Sequence, residues 1–285
     1  MEGGYGAVVR VTRFRHSGST QTGIVVGDEI VAAPGDVLEV LAAGGEATTT
    51  GTSHPLAEVE LLAPIPVPPK FLAIGLNYAD HTAEGGRPAP DFPVFFNKQR
   101  TCVTGPHSPI HLPRVSDMLD YEGELGIVIG RRCRHVPADR AHEVIAGYTV
   151  MNDVTIRDWQ AKAPTWTLGK SFDTHGPTGP WIVSPDEIGD PHALRIRTWV
   201  NGDLRQDAPT KEMIFDCFQQ IETLSTVFTL EPGDLISTGT PAGVGVFRDP
   251  PEFLRVGDVV RIEIDGIGVI ENPVVDEPAD TPFLG

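Results

Sequence analysis

The chain has 285 residues, with 22 Lys and Arg against 39 Asp and Glu (net charge −17), and 40% apolar and 21% charged residues. That balance is too apolar for disorder. It also excludes a nucleic-acid or anionic-membrane surface, because phosphates must be met by clustered Lys and Arg. A pocket for a small anion stays open, since a few local bases can dominate there. The 31 Gly and 26 Pro favour a turn-rich, strand-rich body over a helical bundle, and the length suggests about two domains.

Residues 5–32 are predicted as short alternating strands, AVVRVTRF and then GIVVGDEIVAA around a turn at Gly27–Asp28. A short helix, DVLEVLAAGG, stops at Gly44–Gly45, and the strand AEVELLAPI follows. The proline cluster at 64–69 reads as an extended linker. A small N-terminal α/β domain is therefore expected at 1–68 and a larger domain at 69–285. The larger domain opens with the strand KFLAIGLNY, a polar segment and the strand PVFFNK. Next come YEGELGIVIG, a predicted helix ADRAHEVIAG and the strand YTVMNDVTI. Strands at GPWIVS, LRIRTWVNG and DLISTG, a helix-like span TKEMIFDCFQQIETLSTVF and a hairpin turning at Asp265–Gly266 complete an α+β, β-rich body.

Cys102, Cys133 and Cys217 are too few and too scattered for a disulfide framework, which points to a reducing compartment. The N-terminus lacks a basic-then-apolar signal pattern, and no apolar run approaches the roughly 18 residues of a membrane helix. A cytoplasmic enzyme is the expectation.

Glu122 and Glu124 are two apart and run into an apolar β pattern, so on a strand they share a face with about 6–7 Å between Cα atoms. Carboxylates that close repel unless one is protonated or a cation intervenes. Asp153, at the end of another strand-like run, can converge on them. Three acids without His or Cys suit Mg²⁺, Mn²⁺ or Ca²⁺ better than zinc. The alternative is an edge strand with solvated acids. His81 and Glu84, three apart, share a helical face, either as a carboxylate-held general base or as a surface pair. Lys170, among apolar and small residues, reads equally as a pocket cation or a snorkelling surface residue. His142-Glu143 has no second zincin histidine, and Gly239–Gly245 lacks the Lys of a P-loop.

Taken in order, several segments resemble the fumarylacetoacetate hydrolase family over about residues 71–275. They are Gly75-Leu76-Asn77-Tyr78-Ala79-Asp80-His81, Phe95-Phe96-Asn97-Lys98, Asp120-Tyr121-Glu122-Gly123-Glu124-Leu125, Asn152–Gln160, Gly169–Asp173, Val200–Gln206 and Pro232–Gly245. The resemblance, closest to the acylpyruvase and 2-hydroxyhepta-2,4-diene-1,7-dioate isomerase branch, implies a mixed β-roll catalytic domain and a homodimer. It also implies Mg²⁺ or Mn²⁺ on Glu122, Glu124 and Asp153, and a water-activating dyad of His81 and Glu84 on a lid. Lys170 is implied at the substrate oxyanion, Thr240 at its carboxylate, and Lys98, Arg157 and Gln160 in the pocket; Tyr78 joins them as a substrate-binding candidate. Gly85-Gly86 departs from the family pattern and raises the backbone-entropy cost of a fixed lid, which suggests ordering on substrate binding.

The activity these residues imply is metal-dependent hydrolysis of a C–C bond in an acylpyruvate or related 2,4-dioxo acid. The enolate chemistry also serves oxaloacetate decarboxylation, or isomerisation and decarboxylation of 2-hydroxy-diene-dioates from aromatic catabolism. A catalytically silent metal-binding scaffold is the reading from another class; the intact carboxylates and Lys170 speak against it.

Overall fold

The computed structural model describes residues 9–44 and 51–279. Residues 1–8 (which include the start of the predicted first strand), Gly45 of the predicted helix stop and the last six residues of the larger domain lie outside them. Two β-sheets make up most of the fold. In the larger, the strand order is Ser53–Pro55, Glu29–Ala33, Ser19–Val26, Arg10–His16, Gly176–Val183, Ile145–Asn152, Gly123–Ile129, Leu235–Ser237, Phe71–Gly75 and Val94–Lys98. The N-terminal strands extend this sheet directly, Arg10 pairing with Val183 and Val11 with Ile182.

The strand Gly123–Ile129 is buried along its whole length, and its side chains alternate between two cores. Leu125, Ile127 and Ile129 pack with Ile196, Ile262 and Ile270 of the five-stranded second sheet. Val128 packs on the other face with Val11, Met151 and the helix Val37–Ala42. Both faces are covered, which explains the continuous apolar run LGIVI. Each of these buried aliphatic side chains contributes roughly 1.5–3 kcal/mol.

Two predicted helices are shorter than expected. Residues 138–144 form a 3₁₀ segment, and the chain turns extended at Ile145 because pairing with Gly123–Ile129 claims that backbone. The span from Thr210 divides into a 3₁₀ turn and the helix Cys217–Val227, which starts only where Asp216 and Gln219 form a reciprocal capping box. The hairpin at Asp265–Gly266 is present, with Gly266 at φ +75°. Among the described residues no helix is long and apolar enough to cross a membrane.

Strand direction gathers the chemistry at one end of the inner strands of the large sheet. Gly123–Ile129 runs antiparallel to Ile145–Asn152 and to Leu235–Ser237, and the latter runs parallel to Phe71–Gly75. The start of the first strand therefore lies beside the ends of the other three. Glu122, Asp153, Thr238 to Thr240 and Leu76 to His81 all leave the sheet there.

Candidate active site

Glu122, Glu124 and Asp153 are all buried, and one oxygen from each lies within 4.8 Å of the others. The backbone fixes them: Asp153 N–H donates to the Glu122 carbonyl at 2.9 Å, and Glu122 N–H donates to Asn152 Oδ1 at 3.0 Å. Two lysines reach into the cluster. Lys170 Nζ donates to Glu122 Oε2 at 2.5 Å and Asp153 Oδ2 at 2.7 Å; Lys98 Nζ donates to Asp153 Oδ1 at 2.6 Å and to the Lys170 carbonyl.

The three acids differ electrostatically. Burial alone would raise Glu122, but Lys170 and Arg157 more than offset it and hold it at about 2. Glu124 is pushed well above the usual carboxylate range by burial, then by Asp153 and Glu122. Its Oε2 accepts from Ser237 Oγ at 2.5 Å and Gly239 N–H at 2.9 Å, which only partly counters that push. Burial would lower Lys170, yet Asp153 and Glu122 raise it above its ordinary value. The two lysines and Arg157 pair with Glu122, Asp153 and the neighbouring Asp120, which leaves Glu124, beside two other carboxylates, with no ion-pair partner among the described residues. A divalent cation on hard oxygens relieves that conflict, so the donor set fits Mg²⁺, Mn²⁺ or Ca²⁺.

The helix Ala79–Glu84 carries His81 and Glu84 on one face. His81 Nδ1 lies 2.7 Å from Glu84 Oε1, and Glu84 Oε2 accepts from Gly243 N–H at 2.9 Å. The carboxylate therefore fixes the tautomer with hydrogen on Nδ1 and leaves Nε2 as the basic nitrogen. Gly85 and Gly86 end the helix in a Schellman cap. Gly86 N–H donates to the Ala83 carbonyl at 3.0 Å and Arg87 N–H to the Thr82 carbonyl at 2.9 Å, with Gly86 at φ +65°. A Cβ on Gly85 would stand 3.0 Å from Phe247 Cζ.

One cavity of about 190 Å³ joins these groups. Its volume falls below the range of about 300–1,000 Å³ usual for drug-sized ligands, so it suits a small acid. His81, Glu122, Glu124 and Lys170 line it, together with Arg157, Gln160 and Thr240. Phe96, Trp166 and Phe247 supply apolar walls. Of the remaining sequence-predicted residues, Glu84 and Asp153 stand one contact behind the wall, holding His81 and Lys170. Lys98 lies deeper, as the support for Asp153. Tyr78 is fully buried and off the cavity, with its hydroxyl unpartnered and burial raising its pKa well above normal.

Sequence reasoning assigned no role to Asp120, although it precedes Tyr121-Glu122 in a quoted segment. Its Oδ1 accepts from Tyr121 and Gly245 N–H, and its Oδ2 from Val246 N–H and Arg157 Nε. Arg157 is thereby aimed: Nη1 lies 2.7 Å from Glu122 Oε1 and 3.1 Å from Gln160 Oε1, while Nη2 is buried without a protein partner. Gln206 is the other omission. It accepts from Gly123 N–H and donates to Thr240 Oγ1 and the Pro241 carbonyl, pinning the loop at 240 to the acidic strand.

Residues 70–275 match the family model described as fumarylacetoacetate (FAA) hydrolase C-terminal, and residues 9–64 match one described as Rv2993c-like, N-terminal. The chain is 49% identical over 221 residues to the mitochondrial oxaloacetate tautomerase fahd2 of Xenopus laevis, covering 77% of this chain and 69% of that protein. It is 51% identical over 232 residues to Protein Rv2993c of Mycobacterium tuberculosis, covering 81% and 84%. The crystal structure of 2-hydroxyhepta-2,4-diene-1,7-dioate isomerase from Mycobacterium marinum superposes with a TM-score of 0.81 at 39% identity, covering 94% of this chain and 99% of that one.

Proposed function

The chain belongs to the fumarylacetoacetate hydrolase family, and within it we propose a proton-transfer enzyme: a tautomerase of oxaloacetate or a closely allied 2-oxo acid. The observation that carries this reading is His81, held through Nδ1 by Glu84 and lining the same cavity as Lys170 and the acidic cluster. Similar proteins named for tautomerisation and for a double-bond shift support it, because both reactions move a proton between carbon and oxygen or carbon and carbon. Neither needs water as a nucleophile.

Glu122, Glu124 and Asp153 would hold a divalent ion, which when bound supplies Lewis-acid polarisation of the 2-oxo group. The rest is the work of side chains. Arg157 Nη2, a buried donor with no protein partner, binds the 1-carboxylate, with Gln160 and Thr240 at its sides. Lys170 faces the 2-oxo oxygen, where negative charge grows as the C3–H bond breaks and its electron pair becomes the C2=C3 bond. His81 Nε2 takes that proton and returns it to the 2-oxygen to give the enol, Glu84 stabilising the imidazolium between the two transfers, and ketonisation runs the same steps backwards. Phe96 and Trp166, 5.7 Å apart edge to face, wall off bulk water.

Loss of the enol absorbance of oxaloacetate, followed with Mg²⁺ present, tests the proposal. Wild-type protein should accelerate ketonisation and His81→Ala should not; equal rates for the two would remove the role given to His81. Hydrolysis of an acylpyruvate is the second reading, favoured by the same dyad, whose Nε2 is equally placed to deprotonate a water. Release of pyruvate and a matching carboxylic acid separates it from tautomerisation.

A further inference from the structure

Three cationic side chains line the cavity: Lys170, Arg157 and Arg87. The first two are engaged by acids, Lys170 by Glu122 and Asp153, Arg157 by Asp120 and Glu122. Arg87 is different. Among the described residues its guanidinium makes no ion pair and no side-chain hydrogen bond, and it is exposed at the rim. Its backbone is nonetheless fixed, because Arg87 is the residue whose N–H closes the Schellman cap on Thr82. Gly85, two residues before it, abuts Phe247, so cap and aromatic wall together set where residue 87 leaves the helix.

We propose that Arg87 is the residue that selects 2-oxo acids bearing a second carboxylate, by binding the distal carboxylate at the cavity rim. This rests on the proposed function, since it requires the 2-oxo acid end to lie against Lys170 and Arg157. The remaining wall toward the rim, made by Ile74, Phe96, Trp166 and Phe247, is apolar apart from the neutral indole N–H of Trp166 and offers a distal carboxylate no counter-charge. A guanidinium does, as a planar fork matched to a carboxylate. The choice has a long-range reason too: with a net charge of −17 the chain's own field repels a dianion more than a monoanion, and a local cation at the entrance offsets that. Solvent screens a rim contact, so its effect belongs at the modest end of charge-assisted contacts.

The test is calorimetric binding of oxaloacetate and of pyruvate to the Mg²⁺-loaded protein, with wild type, Arg87→Gln and Arg87→Lys. Arg87→Gln should weaken oxaloacetate binding by about tenfold, the equivalent of one charge-assisted contact. Pyruvate binding should stay within about twofold, and Arg87→Lys should recover part of the loss. Equal losses for both ligands, no loss for oxaloacetate, or no binding of oxaloacetate to wild type overturns the inference. Arg87-dependent binding without faster ketonisation would remove the proposed function and leave this inference standing. Faster ketonisation with unchanged oxaloacetate affinity in Arg87→Gln would do the reverse.

Discussion

Asp120 and Arg157 form a buried ion pair, Oδ2 to Nε at 2.8 Å, and the same carboxylate receives the backbone N–H groups of Gly245 and Val246. One side chain therefore aims Arg157 and anchors the loop that carries Phe247. Removing one partner of a buried pair leaves the other uncompensated, so Asp120→Ala should cost about 3–5 kcal/mol in urea unfolding. Asp120→Asn keeps one acceptor oxygen and should fold; it should raise KM for the 2-oxo acid more than it lowers kcat, because Arg157 loses its alignment but His81 does not.

Gly86 sits in the left-handed region as the cap of the helix that holds His81 and Glu84. Gly86→Ala should destabilise the protein by about 1–2 kcal/mol, with Gly86→Asn closer to wild type. Thermal unfolding of the two variants checks this. Equal stability of Ala and Gly at 86 would mean the cap does not hold the helix end.

The acidic cluster makes a metal prediction that needs no substrate. Glu124 is burdened by burial and then by Asp153 and Glu122, so Mg²⁺ or Mn²⁺ should raise the thermal midpoint and EDTA should reverse the rise. In Glu124→Gln the metal-dependent rise should shrink sharply while the metal-free midpoint holds or increases, since a repelled carboxylate has been replaced by a neutral amide. A full metal response in that variant would take Glu124 out of the ligand set.

His175 lies far from this chemistry in function but gives a clean acid-side signal. Burial pushes its imidazole down to about 3, and Nε2 is bonded to the His111 carbonyl at 2.8 Å. A base whose folded pKa is depressed adds stability that is fully present above its unfolded value near 6.5 and is lost as pH falls toward 3. Between pH 6.5 and 5 the loss is about 2 kcal/mol. His175→Gln should start less stable at pH 7 but fall less steeply between pH 7 and 5, read from chemical denaturation at each pH.

Which of these residues the sequence reveals follows from the range of their partners. Glu122 and Glu124 are legible because strand periodicity alone puts residues i and i+2 on one face, and His81 with Glu84 because one helical turn does the same. Asp120 has no such signature: apart from the adjacent Tyr121 N–H, its partners lie 37, 125 and 126 positions away and meet it only once the strands assemble. Gly85-Gly86 reads as an entropy cost in sequence; the cap on Ala83 and Thr82 becomes visible only once the helix end is built. The segment ADRAHEVIAG fits a helical period, with Ala141, Val144 and Ile145 buried, yet the pairing of Ile145–Asn152 with Gly123–Ile129 outcompetes it. Tyr78 lies next to the helix of His81 in sequence, but its side chain turns into the core.

The most direct test of the central claim is proton exchange at C3 of oxaloacetate, followed by NMR in D₂O with Mg²⁺, wild type against His81→Ala and Glu84→Gln. The account predicts that wild-type protein accelerates deuterium incorporation at C3. His81→Ala should fall to the protein-free rate, and Glu84→Gln should fall between the two because the imidazolium loses its counter-charge. Exchange no faster with wild-type protein than without it, alongside release of pyruvate from an acylpyruvate, would contradict the proton-transfer assignment and give the dyad to water activation instead.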